Sequence, residues 1–381
     1  PGAEHHVVVV ESARPLEARR QIAAALVLDV FQEEGPEDGR SLDEVPVCID
    51  HRMAQAPAQP GRSGIARADP RHALAGERGP ENGPVVVVVA RAVGRLGHAR
   101  QDRLERPRIE WPNGAQVALW VIPNIEYFSL LERPGGYGGG GKIPDVVMWS
   151  ERDYGNRVGV FRIMDTLDRY GIRGTVALNS NLCAEHPQII AEGDKRGWEW
   201  MGHNESNTRR LNEAEPGEEA GIIRRTLDTI AKASGKRPVG WLSSGLQQTW
   251  DTLDLLAADG IEYQCDWCND DQPYVMNLDG GRSIVAMPYT QQLNDKSAIE
   301  RRLVSADGFG QMICDQFDVL YEDGAKTGRV MSICLHPFLI GHPHRSKYFA
   351  KALAYITSRS EAWVTTGSEI LDWYKQNYWK G

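Results

Sequence analysis

Hydrophobic and polar positions change rhythm near residue 106. From there, apolar runs of strand length alternate with segments whose apolar residues recur every three or four positions. The runs "QVALWVI" (116–122), "GTVALN" (174–179), "WEWMGH" (198–203), "VGWLSS" (239–244), "IEYQCDW" (261–267), "SIVAMPY" (283–289), "VMSICLH" (330–336) and "AWVTT" (362–366) predict strands. Between Gly155 and Tyr170, apolar residues at 158, 160, 161, 163, 164 and 167 form a helical stripe. Further helices are predicted over 187–196, 217–234, 249–259, 309–323, 345–357 and 367–378. Strands that are apolar almost throughout are covered on both faces, which points to a parallel sheet flanked by helices. Eight strand–helix units suggest an α/β fold, a distorted (β/α) barrel of seven to eight parallel strands, closed or nearly so. An open doubly wound sheet is the alternative. No phosphate-loop or dinucleotide motif follows a strand, and "GGYGGGG" (135–141) reads as a flexible loop.

Residues 1–105 have a different character. Phe31 is the only aromatic residue before Trp111, and Pro–Gly clusters interrupt every possible element. A core must offset a chain entropy of about 1–2 kcal/mol per residue, and large side chains do most of that work. The segment is therefore expected to be a poorly ordered or non-native extension, with residues 106–381 forming the catalytic barrel.

Composition narrows the function classes. The 381 residues are 41% hydrophobic and 25% charged, as in ordinary globular proteins. The net charge of −9 argues against a general affinity for nucleic acid or anionic membranes. No apolar run approaches the roughly 20 residues needed to span a bilayer. The first residues lack the features of a secretory signal, and six scattered cysteines do not read as a disulfide framework. The expectation is a cytoplasmic protein acting on a small molecule.

The candidate chemistry lies at the strand ends, where the active sites of parallel barrels are built. The first strand runs into Asn124 and Glu126, the second into Asn179, and the third into His203, Asn204, Glu205 and Asn207. The fifth ends near Trp267 and Asp270, and the seventh at His336. Acids and histidines converging on one rim, with no G-x-S-x-G elbow, favour a carboxylate–histidine hydrolytic site over acyl-serine chemistry.

From about residue 106 onward the chain resembles the polysaccharide deacetylase superfamily, and more closely its allantoinase-type and cyclic imide hydrolase branch. The pieces that carry the resemblance are "NIEYF", "DYGNRVGVFR" (153–162), "GHNESN" (202–207), "MPYTQQLND" (287–295), "ICLHPFLIGHPHR" (333–345) and "AWVTTGSEILDWY" (362–374). The resemblance implies a distorted β/α barrel that hydrolyses non-peptide C–N bonds, and a homo-oligomer. Deacetylases of the superfamily carry "TFDDG" after the first strand, where this chain has "IPNIEYF" with one acid, Glu126. They carry H-S/T-x-x-H, which supplies two metal ligands, where "HNESN" leaves only His203 and puts Asn207 in place of the second histidine.

The cofactor is accordingly either absent or one divalent metal, zinc by preference, held by Glu126 and His203. A neutral amide such as Asn207 is a poor zinc ligand, and Glu205 lies two positions from the expected place. The branch also allows a metal-free site. There Glu126 would activate water as general base, His203 would hold the water or the substrate carbonyl, and His336 would protonate the leaving nitrogen. Asn124, Asn179 and Asn207 are candidates to read a ring carbonyl or N–H. Trp267 would form an apolar wall, and Asp270 would orient His336 or bind a substrate N–H. The substrate is expected to be a small cyclic amide, imide or ureide. The alternatives are a metal-dependent N-deacetylase of an acetylated carbohydrate and a catalytically decayed ligand-binding barrel.

Overall fold

The computed structural model describes residues 106–132 and 143–379, together with the short pairs Val9–Val10 and Val85–Val86. It divides into two units, Pro1–Leu96 and Gly97–Gly381. In the first, Val9–Val10 pairs antiparallel with Val85–Val86. The remaining expectations for residues 1–105, and that for "GGYGGGG", lie outside the described residues.

Among its described residues the second unit is built on nine strands: β1 (Val117–Ile125), β2 (Thr175–Leu178), β3 (Glu199–Gly202), β4 (Gly240–Trp241), β5 (Tyr263–Gln264), β6 (Tyr274–Asn277), β7 (Ser283–Ala286), β8 (Arg329–Leu335) and β9 (Ala362–Thr365). Their order is β8-β1-β2-β3-β4-β5-β7-β6, with β9 also paired to β1. Every pairing is parallel except β6 with β7, which is antiparallel. Helices α1 (Val146–Tyr154) and α2 (Val160–Arg169) run on through a π turn at Gly155–Gly159. They are followed by α3 (Leu182–Glu185), α4 (Pro187–Lys195), α5 (Glu219–Ser234), α6 (Thr252–Ala258), α7 (Ala306–Gly324), α8 (Pro343–Thr357) and α9 (Gly367–Asn377). Among the described residues no helix is long and apolar enough to cross a membrane.

The barrel is distorted for a reason visible in the register. β8 occupies one flank of β1 from Val117 to Pro123. On the other flank, β9 pairs with Val117–Trp120 and β2 only with Asn124 and Ile125. Pro123 falls between those partners, so its missing N–H costs no ladder bond on that flank. The ring is also interrupted beyond β8. There the N–H groups of Val330 and Cys334 donate to the carbonyls of Asp271 and Leu293, loop residues rather than a strand, each at 2.9 Å.

Alternation along β1 separates two cores. Val117, Leu119 and Val121 pack under the helices, while Ala118, Trp120 and Ile122 fill the barrel interior with Met201, Leu242 and Cys334. Strand β6 was not anticipated. Its hairpin with β7 turns at Asp279–Gly281, where Gly280 and Gly281 take φ of 72° and 73°, and the D-G-G signal for it was present in the sequence.

The glycines of the π turn have a steric purpose. A Cβ on Gly159 would lie 2.1 Å from the Pro337 carbonyl oxygen, and one on Gly155 would lie 2.6 Å from the Phe338 nitrogen. Both obstacles are backbone, so neither can yield cheaply. Gly159→Ala is expected to cost about 3 kcal/mol or more, the upper range for overpacking a tight contact. Chemical denaturation would measure it, and a midpoint shift equivalent to less than about 1 kcal/mol would contradict the tight seat.

Candidate active site

Strand parity decides which polar residues face inward. Glu126, His203 and His336 each lie two residues beyond Asn124, Met201 and Cys334 respectively. Met201 and Cys334 belong to the interior core, and Asn124 continues its Trp120–Ile122 series. All three side chains are buried, and they meet. Glu126 Oε1 lies 3.7 Å from His203 Nε2 and 3.4 Å from His336 Nε2.

Each imidazole is held from behind. His203 Nδ1 lies 2.6 Å from the Leu242 carbonyl. A carbonyl can only accept, so Nδ1 carries hydrogen, and in the neutral ring Nε2 presents its lone pair toward Glu126. His336 Nδ1 donates to Asp295 Oδ1 at 2.7 Å. The fully buried Asp295 carboxylate also accepts the N–H of His336, at 2.8 and 3.0 Å, and that of Ile340 at 3.2 Å. It thus fixes both the ring and the backbone that carries it.

The electrostatics follow from these contacts. Burial alone would raise the Glu126 carboxyl, but the charge on His336 and the close approach of both imidazoles outweigh it and hold the carboxyl well below the usual carboxylate range. Burial alone would lower His336. The negative charges of Glu126 and Asp295 outweigh that and lift it from an ordinary 6.5 to about 9. At neutral pH the site therefore holds an anionic Glu126 beside a cationic His336. Two buried atoms, Glu126 Oε2 and His203 Nε2, have no hydrogen-bond partner. Both accept hydrogen when His203 is neutral, so a small molecule with two O–H donors, such as water, has the chemistry to satisfy both.

The asparagines have a different place from the one expected. Asn124 donates to the carbonyls of Ile122 and Leu335 at 3.2 and 3.3 Å and accepts from Tyr289 Oη at 3.3 Å. Asn179 accepts from the Tyr127 N–H at 2.8 Å and donates to the His203 carbonyl. Asn207 Oδ1 accepts from Ser244 Oγ at 2.6 Å and faces Asn179 Nδ2 at 3.3 Å. Asn179 and the Asn207 side-chain oxygen are thus engaged with the backbone and Ser244 beside His203, and Asn124 with the end of β8 and Tyr289. Trp267 packs against the outer cluster of Trp241 and Leu253 rather than with the interior core. Asp270 pairs with Arg106 at 2.5 Å and accepts from the Gln272 N–H. The orienting role expected of Asp270 belongs to Asp295. Its signal was the last residue of "MPYTQQLND", an acid closing a loop that returns to the last interior strands.

The donor set does not complete a zinc site of the usual kind. Glu126 and His203 are two donors. The third conventional donor beside them, His336, donates through Nδ1 to Asp295 and in its charged form carries hydrogen on Nε2, leaving no lone pair for a metal. Asn207 supplies an amide oxygen already engaged with Ser244, and Glu205 pairs with Arg225 at 2.8 and 3.0 Å. Among the described residues, no three or more His, Cys, Asp or Glu side chains are arranged to hold a metal.

Comparison with known proteins agrees with this architecture. The polysaccharide deacetylase family profile matches residues 143–264, which include His203 but neither Glu126 nor His336. A protein of Schizosaccharomyces pombe, provisionally named a polysaccharide deacetylase, is 26% identical, covering 68% of this chain and 90% of its own. The peptidoglycan deacetylase of Helicobacter pylori is 23% identical, covering 68% of this chain and 97% of its own. The crystal structure of Puue allantoinase superimposes with a TM-score of 0.66 at 25% identity, covering 74% of this chain and 97% of the allantoinase. Fold, motif order and these relatives agree: the chain contains a polysaccharide deacetylase domain match over residues 143–264, within a fold similar to that of an allantoinase.

Proposed function

We propose that the barrel of residues 106–381 hydrolyses a non-peptide C–N bond in a small cyclic imide, ureide or related amide, without a metal ion. The observation that carries this reading is the meeting of an ionised Glu126, a protonated His336 and an unpartnered His203 Nε2 around one point. Water held between Glu126 and His203 attacks the substrate carbonyl carbon and gives a proton to Glu126 as the new C–O bond forms. The tetrahedral intermediate collapses by breaking the C–N bond, and His336 Nε2–H protonates the leaving nitrogen, which is otherwise a poor leaving group. The proton on Glu126 then returns to His336 across 3.4 Å, and both residues regain their starting charge. Water is consumed, one C–N bond is opened, and no net charge accumulates in the site.

The likeness to an allantoinase supports a ring-opening substrate. The names of the two curated relatives support a second reading, N-deacetylation of a carbohydrate. We further propose a homo-oligomer in the cytoplasm. The branch that the sequence resembles and the absence of a disulfide framework in the cysteine spacing support this. Incubating the purified protein with succinimide, allantoin and chitin oligomers, with and without a chelator, tests the reading. Ring opening of an imide or ureide that survives the chelator is the expected result. Acetate release from the oligomer would instead support the second reading, and loss of turnover on chelation would overturn the metal-free site.

A further inference from the structure

The ladder between β1 and β8 ends at Pro123 and Leu335, before either Glu126 or His336 is reached. On the β2 side Glu126 is flanked by Ile125, paired with Leu178, and by Tyr127, bonded to Asn179 and Asn207. These contacts do not reach His336, so the β1–β8 ladder leaves the separation of the two side chains to contacts beyond it. The segment that touches both is the π turn between α1 and α2. Asn156, buried there, donates from Nδ2 to the backbone carbonyl of Glu126 at 3.0 Å. On the other side, Gly155 and Gly159 press their backbone against Pro337 and Phe338, the two residues that follow His336. Gly341 closes on Gly159, where an added Cβ would lie 2.5 Å from the Gly159 Cα. Arg162 donates to the Gly341 carbonyl, and Tyr154 stacks on His342 with ring centroids 4.2 Å apart and planes 5° from parallel. The helix is thus locked to the loop carrying His336 at several points, and among the described residues it reaches the Glu126 backbone through the Asn156 side chain. Single π turns inside α-helices are often found at functional sites.

We infer that Asn156, held by the glycine seat of the π turn, is a positioning residue that sets the separation of Glu126 from His336. Within the hydrolytic reading proposed above, its removal lets the end of β1 drift while the loop carrying His336 stays in place. A misplacement on the scale of an ångström can cost about 10²-fold in rate, because the proton must pass between fixed groups.

The test compares the wild-type protein with Asn156→Ala and Asn156→Asp. The aspartate variant keeps the volume and removes the donated hydrogen. Arg157→Ala, whose side chain is 71% exposed and pairs with Asp153, serves as the control. Both Asn156 variants are expected to lose about 10- to 100-fold in kcat with KM within about twofold, while the control is unchanged. Crystal structures of the variants are expected to show the Glu126–His336 separation wider than 3.4 Å. An unchanged separation overturns the inference, whatever the kinetics show. Losses confined to KM, or equal losses in the control, overturn it as well. If the wild-type protein opens no imide or ureide, the proposed function fails on that result alone, and the crystallographic separation still decides the role of Asn156.

Discussion

Glu126→Gln is expected to lower kcat by about 10²–10⁴-fold on whichever imide or ureide the wild-type protein opens fastest. The substitution keeps the shape of the side chain and removes its charge. Three consequences follow from that one change. The attacking water loses its proton acceptor. The cationic form of His336 loses the neighbour at 3.4 Å that helps to hold its proton. An amide N–H₂ now faces imidazole nitrogens where an acceptor stood, at 3.7 and 3.4 Å. The fold should survive, because the glutamine is isosteric and both imidazoles keep their rear contacts to Leu242 and Asp295. Steady-state kinetics beside a thermal melt would separate lost chemistry from lost structure. A folded Glu126→Gln protein retaining more than about a tenth of wild-type kcat would remove Glu126 from the mechanism.

Asp295→Asn is expected to have an effect of similar size, together with a change in pH dependence. The carboxylate accepts two backbone N–H groups and the ring N–H of His336, so an amide there turns a donor toward donors. Breaking a buried pair of this kind costs about 3–5 kcal/mol of stability. His336 is raised in the folded protein, so the stabilisation of its charged form is complete below an ordinary 6.5 and is lost as pH rises through about 9. Glu126 is depressed, so its contribution is present above its ordinary 4.5 and disappears only under strong acid. Wild-type kcat/KM should therefore fall on the basic side near pH 9, as His336 loses the proton it donates. In Asp295→Asn that basic limb should move to lower pH, because one of the two anions holding the proton is gone. A pH–rate profile of both proteins gives the answer. Superimposable basic limbs would show that Asp295 does not govern His336.

The two effects bear differently on the second reading. A deacetylase and a ring-opening hydrolase both need a base and an acid, so loss of activity in either variant does not separate them. The chelator does, since it acts only where a metal is required. The charged state of His336, the third conventional donor beside Glu126 and His203, is the structural reason to expect no effect.

Much of the barrel was legible because periodicity is a local property. Apolar runs located eight strands, and their near-continuous burial implied the parallel sheet that seven of its pairings form. The strand ends drew attention to Glu126, His203 and His336, since chains leaving a parallel sheet at that end build sites. Nothing local showed that the side chains of Asn124 and Asn179 were already engaged. An asparagine facing substrate and one bonding the scaffold look alike in sequence. The difference lies in partners such as Leu335, 211 positions away from Asn124. The choice between Asp270 and Asp295 was equally non-local. Both close a loop after a strand, but only Asp295 lies under the His336 ring. The extension of the helix back to Val146 was missed because α1 carries few buried apolar residues; Arg152 is its only buried side chain.

By itself the sequence determined the strand and helix rhythm, the class of fold, and the placement of three polar residues at strand ends, because each depends on neighbours a few positions apart. The tertiary structure alone decided which acid holds His336, which amides are engaged in the scaffold, and how a glycine-lined turn reaches both Glu126 and the loop of His336. Those are contacts between segments distant along the chain, and their geometry is set by packing rather than by any repeating pattern.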